Sequence, residues 1–490
     1  MKAFKTLSMA LALILVTLTI PFGAFAAIAD ADVASIGDVG YADLTEALQK
    51  AQEGEEVVVL KDASINFTTL GVLEKSITIS AKEGLQAKPV ITCNGKSGGR
   101  YLFQLASGKT LQVKGLSLSS SVASIFCVTS NSTYELTNVD VTATFWYCID
   151  VVSAAGGTVI INGGSYTGTY SAIYIDKTSD GSSAFNLTVG GGAVVKQISN
   201  PNGNAPIYND GRPNVNVTVN DDKTLIKTEL GNAPIYNAGN NFKLTINDGE
   251  LVAKNVYGIR DTGMNSLINI CGGQVTGLTG SYTICMDNTS NNSVLNISGG
   301  EITAGTSHAL YIKGNTAVNI SGGTIISGDA SATLNLATTG KVTITGGTIN
   351  AVNYGDGDDL FGNQYVQYKA EDAGTTDLRL LTNVTLADTG AYTEMGYFVS
   401  LSAKQIVADT AKVVNTSKKV LYTSVKAGEA YIEAGEENVY WLAVELADIP
   451  EADYGTTIYV RPYAKTEAGT YVLGDMASFT VNAVVNPTVE

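Results

Sequence analysis

Histidine is nearly absent from this sequence, which contains only one, His308, in 490 residues. This scarcity argues against zinc centres and catalytic triads, because both depend on imidazole. Five cysteines are too few for a disulfide-rich scaffold, and nine prolines beside 52 glycines indicate many tight bends and little polyproline. Only 16% of the residues are charged, with 46 acids against 30 bases and a net charge of −16. An acidic chain cannot neutralise a run of phosphates, so we predict no nucleic-acid partner.

The N-terminus has the pattern of a secretory signal peptide over residues 1–26. Lys2 and Lys5 precede an apolar stretch over residues 7–20, and the small-residue sequence Ala-Phe-Ala follows at 24–26. A membrane anchor is the alternative, but Thr and Ser interrupt the stretch and Pro-Phe-Gly ends it. Cleavage removes two lysines and changes the net charge from −16 to −18. No later run reaches the ~18 apolar residues of a spanning helix, so we predict a secreted or extracellular protein without a membrane span.

A short repeat is the strongest pattern in the chain. It reads apolar-polar-apolar-small-Gly-Gly, and successive copies are 23 to 30 residues apart. The copies are VIINGG (159–164), LTVGGG (187–192), VTVNDD (217–222), LTINDG (244–249), INICGG (268–273), LNISGG (295–300), VNISGG (318–323) and VTITGG (342–347). In each copy apolar and polar residues alternate with a period of two, which is typical of a strand with one apolar face. Stacking the copies in parallel would bury that face.

The spacing of the repeat predicts a right-handed parallel β-helix of about ten coils over residues 63–352. We expect three strands and three bends per coil, with the glycine pair at one bend. The first apolar residue of every copy should then stack in one buried row, formed by Val159, Leu187, Val217, Leu244, Ile268, Leu295, Val318 and Val342. A β-propeller is the main alternative, but its blades need about 40–50 residues.

Residues 27–62 are predicted to cap the first coil. Asp43 and Glu46 form a D-x-x-E capping box at the start of a short amphipathic helix, and Gly54 follows it. The segment EVVVLK at 56–61 is predicted to be the first strand. A cap is needed because an open solenoid end would expose its core and its backbone edge.

Residues 38–352 resemble the pectin-lyase-like β-helix proteins. The resemblance rests on GYADLTEALQKAQEGEEVVVLKD at 40–62 and on the ISGG-type coils, which are similar to those of exported proteins of Gram-positive bacteria. It implies the fold but hardly any activity, since that superfamily includes lyases, hydrolases, adhesins and inert spacers.

The chain changes character after the last coil. Residues 353–370 are rich in glycine and acids and are predicted to be a linker. Residues 371–490 contain six alternating strands, which predict an antiparallel sandwich. The run DIPEADYGTTIYVRPYAKTEAGTYVLGD at 448–475 resembles immunoglobulin- or fibronectin-III-like modules of secreted bacterial proteins.

Catalytic signatures of the superfamily are missing or incomplete. His308 lies in TSHALY and not in the G-H-G element of the galacturonan hydrolases, and no R-I-K run is present. The lyases use an Arg base with Asp-bound Ca²⁺, and the resemblance leaves one candidate cluster for this role: Arg260, Asp261 and Asp287. The DGDD run at 356–359 lacks the spacing of a Ca²⁺ loop, so calcium is a weak expectation and we predict no other cofactor or metal.

A row of tyrosines is the second candidate site. The strand that precedes each repeat copy has an outward position, occupied by Tyr174, Tyr208, Tyr236 and Tyr311, and carboxylates follow it at Asp176 and Asp210. Tyrosine rings beside acids can bind sugars, but stacked rings can equally serve to stabilise neighbouring coils. On the same strand type, Cys127 and Cys148 are predicted to be equivalent positions of adjacent coils, close enough for a disulfide.

The sequence therefore predicts an exported, non-catalytic protein of adhesin-like or structural type that binds a glycan or another surface macromolecule. The alternative is a polysaccharide lyase or glycoside hydrolase with its site around Arg260, Asp261 and Asp287.

Overall fold

The computed structural model describes most of the chain from residue 28 onward. The described ranges are 28–95, 101–129, 131–152, 156–177, 183–198, 204–228, 232–254, 257–277, 282–288, 292–328, 333–350, 352–356, 360–370, 375–386, 391–401, 420–426, 431–433 and 438–482. The predicted signal peptide lies outside the described residues.

A hairpin and a short helix cover the N-terminal end of the core. The hairpin strands Ala34–Ile36 and Val39–Tyr41 pair antiparallel, and the first of them also pairs antiparallel with Glu56–Val59. The helix spans Leu44–Lys50, and its N-cap Asp43 accepts a hydrogen bond from the Thr45 amide at 2.7 Å. This cap was predicted, but the hairpin was not. A second helix, Phe67–Leu70, lies in the first coil.

The middle of the chain is a parallel β-solenoid of about ten turns. The strands that carry the repeat motif, with the strands aligned with them in earlier coils, form the motif sheet: Glu56–Val59, Ile77–Ala81, Thr110–Lys114, Thr133–Ala143, Gly157–Gly168, Phe185–Gly190, Val215–Val219, Lys243–Ile246, Leu267–Ile270, Val294–Ile297, Ala317–Ser327 and Val342–Ile349. Some of these strands continue through the bend that follows. In the other coils the strand ends at the bend and a separate strand follows it: Ala63–Asn66, Val90–Asn94, Ser117–Ser120, Val194–Gln197, Leu225–Thr228, Glu250–Ala253, Gln274–Gly277 and Glu301–Ala304.

The remaining side of each coil belongs to a separate parallel sheet of eleven strands. They are Val72–Leu73, Tyr101–Leu105, Ser124–Val128, Ile149–Val151, Ile173–Ile175, Ile207–Asn209, Ile235–Asn237, Ile259–Asp261, Ile284–Met286, Leu310–Gly314 and Leu334–Thr338. Their flanking apolar residues point into the core, as Ile173 and Ile175 do beside the half-buried Tyr174. We call this the eleven-stranded sheet.

The predicted buried row is confirmed. Every consecutive pair from Val159 to Val342 is in parallel register, and all are buried except the half-buried Val342 at the end. The glycine pairs permit the bends within the motif sheet. A Cβ on Gly299 would lie only 2.2 Å from the Cys271 carbonyl oxygen, and Gly300 has φ +77°. Neither position accommodates a side chain, because the bends of adjacent coils touch through their backbones.

The C-terminal part consists of antiparallel sheets, as predicted, with one parallel pairing between Val352–Asp356 and Tyr471–Leu473. Its strands are Val352–Asp356, Phe361–Ala370, Thr375–Thr385, Tyr392–Ser400, Val420–Lys426, Tyr431–Glu433, Val439–Pro450, Thr457–Thr466, Tyr471–Leu473 and Ala477–Thr480, with a 3₁₀ turn at Glu451–Asp453. Leu380 of one sheet and Met395 of the other belong to one shared apolar core. Within residues 353–370, predicted as a linker, the strand Phe361–Ala370 pairs antiparallel with Thr375–Thr385.

The predicted equivalence of Cys127 and Cys148 is wrong by two residues. Cys127 is in register with Asp150, and Cys148 precedes the paired Ile149. Both thiols are buried, and no disulfide joins them. The bend before Ile149 is longer than the sequence pattern indicates, and this shifts the alignment between the two coils.

Candidate ligand-binding surface

One outward position of the eleven-stranded sheet repeats along the solenoid. In strand register it is occupied by Gln104, Cys127, Asp150, Tyr174, Tyr208, Tyr236, Arg260, Cys285, Tyr311 and Asn335. The four tyrosines named from the sequence therefore share one row, although Arg260 and Cys285 separate Tyr311 from the other three.

A second set of aromatic residues joins this row from the preceding bend. Tyr147, Tyr257 and Tyr282 each lie three residues before the outward position of their strand, and His308 has the same offset from Tyr311. Sequence analysis missed them, although this constant offset is a usable signal. We use the name aromatic stripe for seven residues: Tyr147, Tyr174, Tyr208, Tyr236, Tyr257, Tyr282 and Tyr311.

The rings of the stripe are stacked face to face, except that Tyr257 is tilted by 51° against Tyr282. Centroids are 4.4 Å apart for Tyr147 and Tyr174, 5.8 Å for Tyr174 and Tyr208, and 4.8 Å for Tyr208 and Tyr236, with interplanar angles of 5° to 11°. Farther along, Tyr282 and Tyr311 stack at 4.0 Å. Neighbouring rings cover each other's faces, so the stripe presents mainly ring edges and hydroxyl groups to the outside.

Arg260 lies between the two stacks. Its guanidinium carbon is 5.8 Å from the ring centroid of Tyr236 and 4.9 Å from that of Tyr257. One guanidinium nitrogen is 3.3 Å from Oδ2 of Asp287, and both side chains are about a quarter exposed. Arg260 thus holds the stripe together where a tyrosine is missing, and Asp287 balances its charge.

Carboxylates lie along one side of the stripe. The Tyr174 hydroxyl donates to Asp210 at 2.9 Å, and the Tyr208 hydroxyl is 3.4 Å from the other oxygen of the same group. Burial and the negative charge of Asp210 raise the pKa of Tyr208 to about 12, and burial together with the hydrogen bond to Asp210 raises the pKa of Tyr174. These hydroxyls remain protonated donors at neutral pH. Asp176 is half-buried beside them.

Asp261 does not join Arg260 on the outer surface. Adjacent residues of a strand face opposite sides, and Asp261 is completely buried. Its Oδ1 accepts hydrogen bonds from the Asn237 side chain at 2.6 Å and from the Gly263 amide at 3.1 Å. Burial raises its pKa to about 6 despite these bonds. Asn237 in turn accepts from the Asn209 side chain at 2.6 Å, so Asp261 ends an internal amide ladder.

Of the proposed catalytic cluster, the structure brings together Arg260 and Asp287 and turns Asp261 into the core. Within the described residues, His, Cys, Asp and Glu side chains nowhere gather in threes that could hold a metal ion. The DGDD run lies mostly outside those residues. No helix in the described part of the chain is long and apolar enough for a membrane crossing.

The surface can therefore offer hydroxyl donors, carboxylate acceptors and two cations, Arg260 and Lys313, the latter 4.8 Å from the Tyr311 ring centroid. Comparisons of the chain with protein-family models, curated proteins and solved structures found no match.

Proposed function

We propose that this protein is exported and binds a glycan along the aromatic stripe without cleaving it. The observation that carries the proposal is the stripe itself, with its hydroxyls and the neighbouring carboxylates Asp176 and Asp210. It extends over seven consecutive strands, or about 29 Å at the usual spacing of neighbouring strands. A linear polymer of hydroxyl-bearing rings is a ligand with matching length and chemistry.

The charge of the site favours a neutral or cationic glycan. Sugar hydroxyls can donate to Asp176 and Asp210 and can accept from the tyrosine hydroxyls. A polyuronate carries a carboxylate on every sugar and would be repelled by these acids and by the net charge of −18 that remains without residues 1–26.

The broader biological setting belongs to the same proposal. The N-terminal pattern supports secretion, and the coil sequences support a place among pectin-lyase-like proteins exported by Gram-positive bacteria. The C-terminal strands support an immunoglobulin- or fibronectin-III-like module, which would act as a spacer or a second attachment point. Other surface macromolecules rich in hydroxyl groups would satisfy the same chemistry.

A lyase or hydrolase is the weaker alternative. It would need Arg260 with two or more acids that converge on one reacting bond. Asp261 is buried on the opposite face of the strand, and Arg260 is already paired with Asp287. What remains on the outer face is one ion pair between stacked rings, which supports a structural role for Arg260.

The test is a glycan array probed with the protein lacking residues 1–26, with release of reducing ends measured in parallel. The decisive variant is the double substitution Tyr174→Phe with Tyr208→Phe, which removes two hydroxyls but keeps the ring stack. We expect about tenfold weaker binding, equivalent to roughly 1.4 kcal/mol, with little change in thermal midpoint. The matched control is Tyr365→Phe, an exposed tyrosine of the C-terminal sheets. An array without hits, or unchanged affinity of the double variant, would contradict the proposal.

A further inference from the structure

Three aromatic side chains beside the stripe are exposed. Phe145, Trp146 and Tyr170 have 37%, 38% and 43% of their surface accessible. They lie in the bends that lead into the strands Ile149–Val151 and Ile173–Ile175 of consecutive coils. We call them the aromatic corner.

The corner is built on aligned bends. The Thr144 amide donates to Ser120 and the Thr169 amide donates to Ala143, so the bends of successive coils repeat the same backbone contact. Phe145 and Tyr170 each follow one of these threonines, and they therefore occupy equivalent positions one coil apart. A solenoid bend fixed on both sides holds such side chains in place at little further entropic cost.

The rings of the corner are arranged differently from those of the stripe. Phe145 and Trp146 have centroids 5.7 Å apart with planes tilted by 57°, and Trp146 meets Tyr147 at 5.9 Å and 83°. Neither contact is a parallel stack, so these rings do not cover each other as the stripe tyrosines do. The corner thus supplies what the stripe lacks, namely accessible aromatic faces.

Acidic groups lie close to the corner. The pKa of Tyr147 is raised by burial, and then by the charges of Asp150, Asp176 and Asp210, with Tyr170 also contributing. Trp146 contacts this tyrosine directly. Apolar ring faces and carboxylate acceptors are therefore found side by side at one end of the stripe.

We propose that the aromatic corner is a stacking subsite for one sugar ring of the glycan bound along the stripe. The inference rests on the proposed function and adds that the glycan is anchored at one end of the stripe by stacking. A sugar ring matches both features, since its C–H face packs on an aromatic ring while its hydroxyls reach acceptors at the rim. A second copy of this chain is a poorer occupant, because a two-fold contact would bring the same carboxylates of two acidic proteins together.

The sequence offers a direct probe, because it contains only two tryptophans, Trp146 and Trp441. In a Trp441→Phe background, indole fluorescence reports on the corner alone. The titrants are cellohexaose, mannohexaose, N-acetylchitohexaose and the corresponding glucosamine hexamer, with affinities measured independently by calorimetry. We expect the hexasaccharide that binds most tightly to shift the Trp146 emission to shorter wavelength. The midpoint of this fluorescence titration should agree with the affinity from calorimetry.

Substitutions complete the test. Trp146→Ala and Tyr170→Ala should each weaken that binding about tenfold. Trp146→Tyr should retain most of it, because an aromatic face remains. Tyr365→Ala is the control, as it removes a ring of similar exposure from the C-terminal sheets. Circular dichroism of each variant verifies that the solenoid is folded.

The outcomes separate the two proposals. If a hexasaccharide binds and Tyr174→Phe with Tyr208→Phe weakens it, but Trp146 emission and the Trp146→Ala affinity are unchanged, the corner is no subsite and the proposed function stands. If none of the four sugars binds, both proposals fail for this ligand class. If Trp146→Ala instead abolishes a dimer seen by sedimentation, the occupant is a second copy and the inference is wrong.

Discussion

The buried carboxyl of Asp261 should make the stability of the solenoid depend on pH in a predictable direction. Its pKa in the folded protein is about 6, against an ordinary value of 3.8, and the main cause is burial. Because the folded-state pKa is raised, the folded protein binds more protons than the unfolded chain between these values. The free energy of unfolding should therefore fall as the pH rises from about 4 to about 6, where the penalty becomes complete.

The magnitude follows from the shift. A difference of about two pKa units corresponds to about 3 kcal/mol once the group is fully ionised, and to about 0.5 kcal/mol at pH 4. Asp261→Asn should remove this penalty. An amide oxygen at this position can accept the same hydrogen bonds from Asn237 and Gly263, and it would extend the amide ladder that begins at Asn209. We expect stabilisation of up to about 3 kcal/mol at pH 7.5 and only about 0.5 kcal/mol at pH 4.

The assay is urea unfolding at the two pH values, followed by the fluorescence of Trp146 in the Trp441→Phe background. Asp222→Asn is the matched control, since it removes the same charge from an exposed position in a motif bend. An equal effect of Asp261→Asn at both pH values would refute the reasoning. Destabilisation at pH 7.5 would do so too, because it would show that the carboxylate is stabilising in its charged form.

The glycine bends, the thiols and the outer surface provide three more tests. Gly300→Ala should lower the free energy of unfolding by about 1–3 kcal/mol, because φ is +77° and a Cβ would lie 2.6 Å from a carbonyl oxygen; a wild-type urea midpoint would contradict this. With a thiol reagent and no reductant, we expect one fast-reacting thiol, Cys271, and five after unfolding; a lower final count would reveal a disulfide. On polygalacturonate we expect no unsaturated or reducing ends with or without Ca²⁺, because protein and substrate are both polyanions. Steady turnover that Arg260→Ala abolishes would overturn the non-catalytic proposal.

Glycan binding and a purely structural role of the stripe predict different effects of substitutions at the same tyrosines. Stacked rings stabilise adjacent coils whether or not a ligand is present. Removing a ring, as in Tyr208→Ala, therefore tests stability and binding together, whereas removing a hydroxyl keeps the ring stack and costs the fold only its hydrogen bond to Asp210. This is why the phenylalanine variants separate the two interpretations left open by the sequence.

The sequence alone was sufficient for the solenoid and for the buried row from Val159 to Val342. The alternation of apolar and polar residues with a period of two, and the glycine pairs at regular distances, are local properties of the chain. They indicate directly which side chains are buried and where the chain bends. The outward row of Tyr174, Tyr208 and Tyr236 could be predicted for the same reason.

Only the tertiary structure decided which side chains of different coils meet. Cys127 faces Asp150 and not Cys148, and Tyr147, Tyr257 and Tyr282 reach the stripe from bends outside the strands. Asp261 and Arg260 are neighbours in the chain but lie on opposite faces of the strand. The bends differ in length from coil to coil, and the register across the sheet depends on how each bend packs on the previous one. That packing is a long-range property, which a local pattern of apolar and polar residues does not contain.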